Sequence, residues 1–530
     1  MSTTEKATEH QAIWEEHRSF SEVWDASVEN YPHRPFLRFE ISEHEVAEWS
    51  YSEFDELVGR VAGSLAKMGV NQGRSVHLAL ANSPLFVVAW LATLRLGGWI
   101  VPSDPHGRAP ELADHIARTN PAVGICGADR SDVYRAAVDT DSGEPPKVLS
   151  LEESPAGIEA LADIAASSVP ANPASSHSTS LAAVAFTSGT TGRPKGVEIT
   201  QANYAFTGKI MAEAANLCEE HRWLVVLPLF HANAQYYSFA SAIWSGASVA
   251  LMPSFSASRF LSQAKSHRAT HASLFAAPMR MILARGAKPV EGLKLEHCWF
   301  AQNVTSQQHA QLSDLFGCHP RQLYGMTETI PAVLSDQLDE LADPSSMGRV
   351  TSGCAVQIQE EDGSETANGE VGEVAVAGEP GITLFKGYMD DPETTSASFR
   401  KGWFLTGDRA RRDEHGRHYF AGRHSEILKV AGENVSVVEI EQSLAEHPDV
   451  LEAAVVGCPD AMRDEVPVGY VVAADPASPP SEENLRRWCE ENLSKPKRPQ
   501  SFTLLDELPR TSVGKIRKFL LAEQAAGSVS

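Results

Sequence analysis

Residues 187–200 read TSGTTGRPKGVEIT, directly after the apolar run LAAVAF at 181–186. The apolar run has the length and character of a buried strand. The stretch behind it is rich in hydroxyls and glycine and closes on Pro-Lys-Gly. Thr187, Ser188, Thr190 and Thr191 offer hydroxyl donors. Gly189, Gly192 and Gly196 let backbone N–H groups approach an anion closely and form a nest. Lys195 adds a point charge. The spacing is not that of GxxxxGK[ST], because Gly196 follows Lys195 where Ser or Thr is required. A solvated Ser/Gly linker, such as ASSVPANPASSHSTS at 166–180, is the bland alternative. The strand that precedes the loop favours a triphosphate-binding turn in an α/β layer.

Working outward, 530 residues are too many for one hydrophobic core, so two or more domains are expected. The net charge of −24 opposes nucleic acid and anionic membranes as partners, and any polyanionic ligand must meet local positive groups. Seven cysteines (126, 218, 298, 318, 354, 458 and 489) include no pair at metal-ligand spacing. With the odd count they indicate free thiols in a reducing compartment, and a cytoplasmic location is expected. The polar, acidic start MSTTEKATEHQAIWEEH is not a signal peptide. The most apolar window, PLFVVAWLATLRLGGWIVP at 84–102, is broken by Arg95, Gly97 and Gly98, so it reads as a buried helix and strand rather than a membrane span.

The rest of the chain divides by texture. Short apolar strands such as SVHLAL (75–80) and GGWIVPSD alternate with helical stretches, which favours parallel-sheet α/β layers. WLVVLPLF (223–230) and HASLFAAP (271–278) read as strands of a second layer. After about 345, CAVQIQEEDG, GEVGEVAVAG and GRHYFAGR are alternating strands with tight turns, a small antiparallel β unit or barrel. After Arg423, SVVEIEQSLAEHP and SEENLRRWCEENL are helices around the strands VLEAAVVGC and VPVGYVVAAD. The expected fold is a large α/β N-terminal region over 1–422, with layers at about 1–180 and 181–340 and a β unit at 341–422. A hinge at 423–425 leads to a small mobile α+β domain over 426–530.

Five motifs together carry a family resemblance: TSGTTGRPKG, YGMTE (324–328), GWFLTGD (402–408), GRHSEILKVAGENVSVVEIE (422–441) and PRTSVGKIRK (509–518). In this order and spacing they resemble the adenylate-forming superfamily of acyl-CoA synthetases, peptide-synthetase adenylation domains and luciferases, over about residues 20–520. PLFHANAQ, YGMTETI and KVAGENVS look most like its carnitine/crotonobetaine-CoA ligase branch. The resemblance implies an ATP-dependent acid–thiol ligase. A carboxylate attacks ATP to give acyl-AMP and pyrophosphate, then the thiol of CoA displaces AMP. Mg²⁺, ATP and CoA are the implied cofactor and co-substrates.

By resemblance, Thr187, Ser188, Gly189, Thr190, Thr191, Gly192 and Lys195 hold the β- and γ-phosphates. Tyr324 stacks on adenine beside Gly325 and Met326, Thr327 touches the α-phosphate, and Glu328 holds Mg²⁺. Asp408 binds the ribose hydroxyls, and Arg423 reaches ribose or phosphate. Lys515 bridges the attacking carboxylate and the α-phosphate. The C-terminal domain rotates about Ser425 and then presents Lys429, Gly432, Glu433 and Asn434 beside the pantetheine tunnel. His231 marks the mouth of the acyl pocket, with Asn233, Gln235, Tyr236, Tyr237 and Ile330 lining it.

Two segments depart from the superfamily. Gln302 and Asn303, in WFAQNVTS, stand where other members carry glycines under the adenine, and Ser425 stands where the hinge is usually Asp or Lys. The first departure raises a second reading, an enzyme that only converts supplied acyl-AMP to acyl-CoA. Loading of a carrier protein is a third. Amino-acid substrates are disfavoured, because HANAQYY offers no carboxylate for an ammonium. A luciferase-like oxygenase shares these motifs, a non-enzymatic scaffold is discouraged by Lys515 and Glu328, and a homodimer is open because homodimers are common in the superfamily.

Overall fold

The computed structural model describes residues 18–139, 145–164, 177–187, 194–423, 427–430, 433–460, 463–510 and 516–527. Two large mixed sheets, a small antiparallel sheet and a C-terminal sheet with its own helices make up the chain.

The first sheet has seven strands, in the order Gly387–Tyr388, Lys195–Thr200, Leu181–Thr187, Trp99–Pro102, Ser75–Ala79, Val123–Gly127 and Lys147–Leu151. From Leu181–Thr187 onward the neighbours are parallel, while Lys195–Thr200 runs antiparallel to Leu181–Thr187. The second sheet has nine strands and runs from Arg349–Val350 through Leu334–Ser335, Arg321–Tyr324, His297–Ala301, His271–Phe275, Arg222–Val225 and Ser248–Leu251 to Pro35–Ser42 and Glu45–Ser50.

The expected boundary between layers near residue 180 therefore does not separate the sheets. The first sheet draws strands from both sides of that point, and Pro35–Ser42 pairs in parallel with Ser248–Leu251 of the second. The cause is hydrophobic burial: Phe36, Leu37 and Phe39 join the core that the first helices share with both sheets. WLVVLPLF is also shorter as a strand than expected. Pairing covers Arg222–Val225, and a turn follows in which the His231 N–H donates to the Pro228 carbonyl at 3.1 Å.

The helix Pro84–Arg95 is buried around nearly its whole circumference, as its predominantly apolar sequence requires. Ser83 caps it by accepting from the Phe86 N–H, and Pro84 takes the first-turn position where its missing donor costs nothing. No helix among the described residues is long and apolar enough to cross a membrane.

The β unit is a five-stranded antiparallel sheet built from Ala355–Gln359, Val371–Ala377, Trp403–Arg412, Phe399–Arg400 and His418–Arg423. The C-terminal sheet pairs Ile427–Val430 with Glu433–Ser436 and Asp464–Ala473 with Val450–Asp460. The helices Val437–Ala445 and Glu482–Asn492 cover it, and Ile440, Leu444, Leu485 and Cys489 fill its core.

Candidate functional site

In open α/β sheets ligands bind beyond the carboxyl ends of the parallel strands. Here Thr187 ends one parallel strand of the first sheet, while Phe275, Ala301 and Tyr324 end three of the second. These ends bring the motifs together.

The antiparallel strands Leu181–Thr187 and Lys195–Thr200 form a β-hairpin that flanks the phosphate-loop candidate. Thr187 and Lys195 are direct partners across its last rung, so both ends of the loop are pinned. Arg118 adds a clamp. Its Nη1 donates to the Pro194 carbonyl at 2.7 Å, and its guanidinium lies 4.7 Å over the Phe186 ring. The Phe186 ring also stacks on that of His115 at a centroid distance of 4.0 Å. His115 continues into a buried chain through Ser103 (2.8 Å) to His77 (2.9 Å) and Tyr134 (2.6 Å). Burial pushes His77 down to about 3 and His115 down to about 4, so both rings are neutral inside the fold. Ser188, Gly189, Thr190, Thr191 and Gly192 lie outside the described residues.

Two sheets meet around Glu328. It is 4% exposed, within the single helical turn Thr327–Thr329. The Tyr388 hydroxyl donates to its Oε1 at 3.1 Å, and the Phe385 N–H donates to its carbonyl at 2.9 Å. A hard cation that keeps most of its shell on phosphates and water needs one or two protein carboxylates, and a buried carboxylate facing the loop hairpin fits that requirement. Gly325 is required by crowding. A Cβ there would sit 2.9 Å from the Pro331 carbonyl and 3.0 Å from the Tyr237 hydroxyl. Ile330 is fully buried with φ 71°, an unusual conformation for a β-branched residue.

Tyr324 donates its hydroxyl to Asp408 Oδ2 at 2.7 Å, and Arg423 Nε donates to Asp408 Oδ1 at 2.5 Å. Asp408 and Arg423 are also rung partners of adjacent strands. Burial, with the Asp408 charge beside it, raises Tyr324 well above the usual phenol range, so it stays a donor. The ribose and adenine candidates are thus physically joined.

Gln302 is exposed and Asn303 half-buried, directly after the strand His297–Ala301. Gln302 has φ 74°, in the left-handed region that favours glycine. The backbone thus adopts at Gln302 the conformation glycine would allow, without the glycine. The Asn303 carbonyl accepts from Arg280 Nη1 at 3.1 Å, and Arg280 Nη2 lies 4.0 Å from Glu452 of the C-terminal domain. Glu452 also binds Arg510 of the PRTSVGK motif.

Four of the acyl-pocket candidates, Asn233, Gln235, Tyr236 and Tyr237, lie on one π-helical segment, Asn233–Ala240, a rare geometry often found at functional sites. Asn233, Tyr236 and Tyr237 are buried there, and the Asn233 Oδ1 and the Tyr236 hydroxyl have no hydrogen-bond partner among the described residues. Gln235 departs from the pocket expectation. Its Nε2 donates to the Leu229 carbonyl at 2.6 Å and its Oε1 accepts from Tyr204, so its amide is committed within the fold. His231 is half-buried, its ring 4.4 Å from that of Phe230.

Lys429 is exposed on the C-terminal hairpin, paired by backbone with Asn434. Ser425, Gly432 and Lys515 lie outside the described residues, as do the side chains of Glu433 and Asn434. The sequence reading missed Tyr388, Arg118, Arg280 and Glu452. Tyr388 sits in FKGYMDDPETT, whose Asp391 caps the next helix by accepting from the Thr394 N–H, a local signal that could have marked an ordered segment. For the two arginines and Glu452 nothing local distinguishes them from surface charges.

The AMP-binding enzyme family profile matches residues 24–389, and that of the AMP-binding enzyme C-terminal domain matches 439–515. The chain belongs to the AMP-binding enzyme family. Among curated members of related sequence, the crotonobetaine/carnitine–CoA ligase of Proteus mirabilis is 32% identical over 509 residues, covering 94% of this chain and 97% of that protein. The ligase of the same name from Citrobacter koseri is 31% identical over 516 residues, with coverage of 94% and 98%. Among solved structures, ATP-bound MatB from Rhodopseudomonas palustris superposes with a TM-score of 0.86 at 26% identity, covering 96% of this chain and 99% of that one. O-succinylbenzoate coenzyme A synthetase from Bacillus subtilis, in complex with AMP, gives 0.80 at 25% identity, with coverage of 95% and 97%. This AMP-binding enzyme thus shares its whole architecture, both domains included, with acyl-CoA ligases.

Proposed function

We propose that this chain is an ATP-dependent acyl-CoA ligase. A carboxylate oxygen attacks the α-phosphate of ATP, and the bond to pyrophosphate breaks. The thiol of CoA then attacks the acyl carbon of acyl-AMP, AMP leaves, and the thiol proton is released. The observation that carries this reading is that Lys195 of the hairpin flanking the phosphate-loop candidate, the buried Glu328 and the Tyr324–Asp408–Arg423 cluster come from three sheets and their connecting turns. Such a reaction needs positioning and charge stabilisation more than a protein nucleophile.

In this reading the loop and Lys195 hold the β- and γ-phosphates, Asp408 takes the ribose and Tyr324 the adenine. Glu328 would hold Mg²⁺, which would supply neutralisation of the charge on the phosphate oxygens. Lys515 stabilises the attacking carboxylate, and rotation about 423–425 brings the hairpin of Lys429 and Asn434 to the CoA side. The acid enters past His231 into a pocket lined by Asn233, Tyr236, Tyr237 and Ile330. Free thiols at all seven cysteines suit a reducing cytoplasm, and a homodimer is the assembly to look for by sedimentation.

The test is pyrophosphate release from Mg-ATP with a panel of acids that includes quaternary-ammonium acids, followed by thioester detection with CoA. Lys515→Ala should abolish pyrophosphate release and spare thioester formation from supplied acyl-AMP. Equal loss of both steps contradicts its role. A second reading, thioester formation alone, is favoured by Gln302, which places a side chain at a glycine-type position beside the adenine candidate. Pyrophosphate release at ordinary enzyme rates eliminates it.

A further inference from the structure

Tyr388 touches both charged partners of the expected phosphate site from one rigid position. Its hydroxyl donates to Glu328 Oε1 at 3.1 Å, and the Lys195 Nζ lies 4.6 Å from its ring centroid. Lys195 belongs to the first sheet and Glu328 to the turn between two strands of the second, and Tyr388 is only 8% exposed between them.

The ring is held firmly. Gly387 and Tyr388 pair with Glu198 and Val197, extending the first sheet by one short strand. The Tyr388 N–H donates to Thr395 Oγ1 at 2.8 Å, and the ring packs on Phe385 at 4.9 Å. The segment before it is laced to the helix that follows the loop hairpin. Asn203 Nδ2 donates to the carbonyls of Ile382 and Leu384, each at 2.8 Å, and Thr200 Oγ1 donates to that of Gly381 at 2.6 Å.

We infer that Tyr388 is a positioning residue that sets Glu328 for the metal ion and seats Lys195 beside it, coupling the phosphate loop to the metal carboxylate. This rests on the roles proposed above for Glu328 and Lys195. A donor to one carboxylate oxygen fixes the rotamer and favours the anion, as outer partners of metal ligands do. The ring face offers the ammonium of Lys195 a cation–π seat next to the same carboxylate. The two groups that must meet the nucleotide phosphates together are therefore spaced by one side chain.

The experiment measures Mn²⁺ binding to the full chain by electron paramagnetic resonance, with a non-hydrolysable ATP analogue present. Wild type, Tyr388→Phe, Tyr388→Leu and Glu328→Gln are compared. Phe keeps the ring, its packing and the seat for Lys195, and removes only the hydroxyl. The expected result is that Y388F raises the Mn²⁺ concentration for half occupancy by about tenfold or more. Y388L, which also removes the seat, should further weaken metal-free binding of the analogue. The ratio of pyrophosphate release to thioester formation from supplied acyl-AMP should fall in Y388F. If E328Q weakens Mn²⁺ binding and Y388F does not, the coupling is overturned while the role of Glu328 stands. If E328Q has no effect, the role of Glu328 is wrong and the coupling falls with it.

Discussion

The Tyr324 hydroxyl lies 2.7 Å from Asp408 Oδ2, and Arg423 holds the other oxygen of the same carboxylate at 2.5 Å. Tyr324 belongs to the second large sheet and Asp408 to the small antiparallel one, so a single buried carboxylate joins the two. A ribose diol reaching Asp408 meets acceptor oxygens whose direction is already set by a phenol and a guanidinium.

Removing the phenol oxygen tests this joint. A hydrogen bond to a charged group contributes about 1.5–3 kcal/mol. Tyr324→Phe should weaken AMP binding by about tenfold in calorimetry, and Asp408→Asn should weaken it more, because Arg423 then loses its charge partner. Unchanged AMP affinity in Y324F rules out a positioning role for the hydroxyl.

Glu452 connects Arg280, which holds the Asn303 carbonyl, to Arg510 of the motif that carries Lys515. The arrangement latches the C-terminal domain against the candidate adenine strand. Glu452→Gln should lower the rate of pyrophosphate release several-fold and leave thioester formation from supplied acyl-AMP intact. Equal slowing of both steps would mean the latch serves only stability.

Gln302 occupies a left-handed conformation that costs a side-chain-bearing residue about 1–2 kcal/mol. Gln302→Gly relieves that cost and adds unfolded-state entropy, which offsets part of it. The thermal midpoint should stay level or rise, and the added shift with Mg-ATP should not shrink. A clear fall in the midpoint would show that the Gln302 side chain is itself structural.

Burial holds several histidines neutral, among them His77 at about 3, His115, His271 and His418 at about 4, and His297, pushed well below its usual range. As pH falls from about 6.5 to 4 the unfolded chain takes up protons that the fold does not, so stability drops. Each such histidine contributes a slope of about 1.4 kcal/mol per pH unit in that window. Asp336, raised to about 7 by burial, works the other way, because between about pH 4 and 7 the fold keeps its proton and the unfolded chain does not. The midpoint should therefore fall on acidification below 6.5, and Asp336→Asn should steepen the fall. A flat midpoint between pH 6.5 and 4.5 would contradict neutral burial of these rings.

Much of the candidate site is legible in the sequence because its parts are local. The loop after LAAVAF, the Tyr-Gly-Met-Thr-Glu turn and the Thr-Gly-Asp strand are each contained within ten residues, and their order along the chain carries the family resemblance that implies their roles. The C-terminal strands and helices were readable for the same reason, since alternation and amphipathic spacing are properties of short segments. The interleaving of the two large sheets was not, because Pro35–Ser42 finds its partner in Ser248–Leu251 only when the whole core assembles.

What the sequence by itself determined was the set of motifs, their order and the periodicity of the elements that carry them. Tertiary structure alone decided which of those groups touch. Tyr324 and Asp408 are 84 residues apart, Glu328 and Tyr388 60, and Gln235 was turned inward by Leu229 and Tyr204. Such pairings depend on buried polar groups finding partners across sheets, and that requirement is satisfied only when the sheets are already packed together.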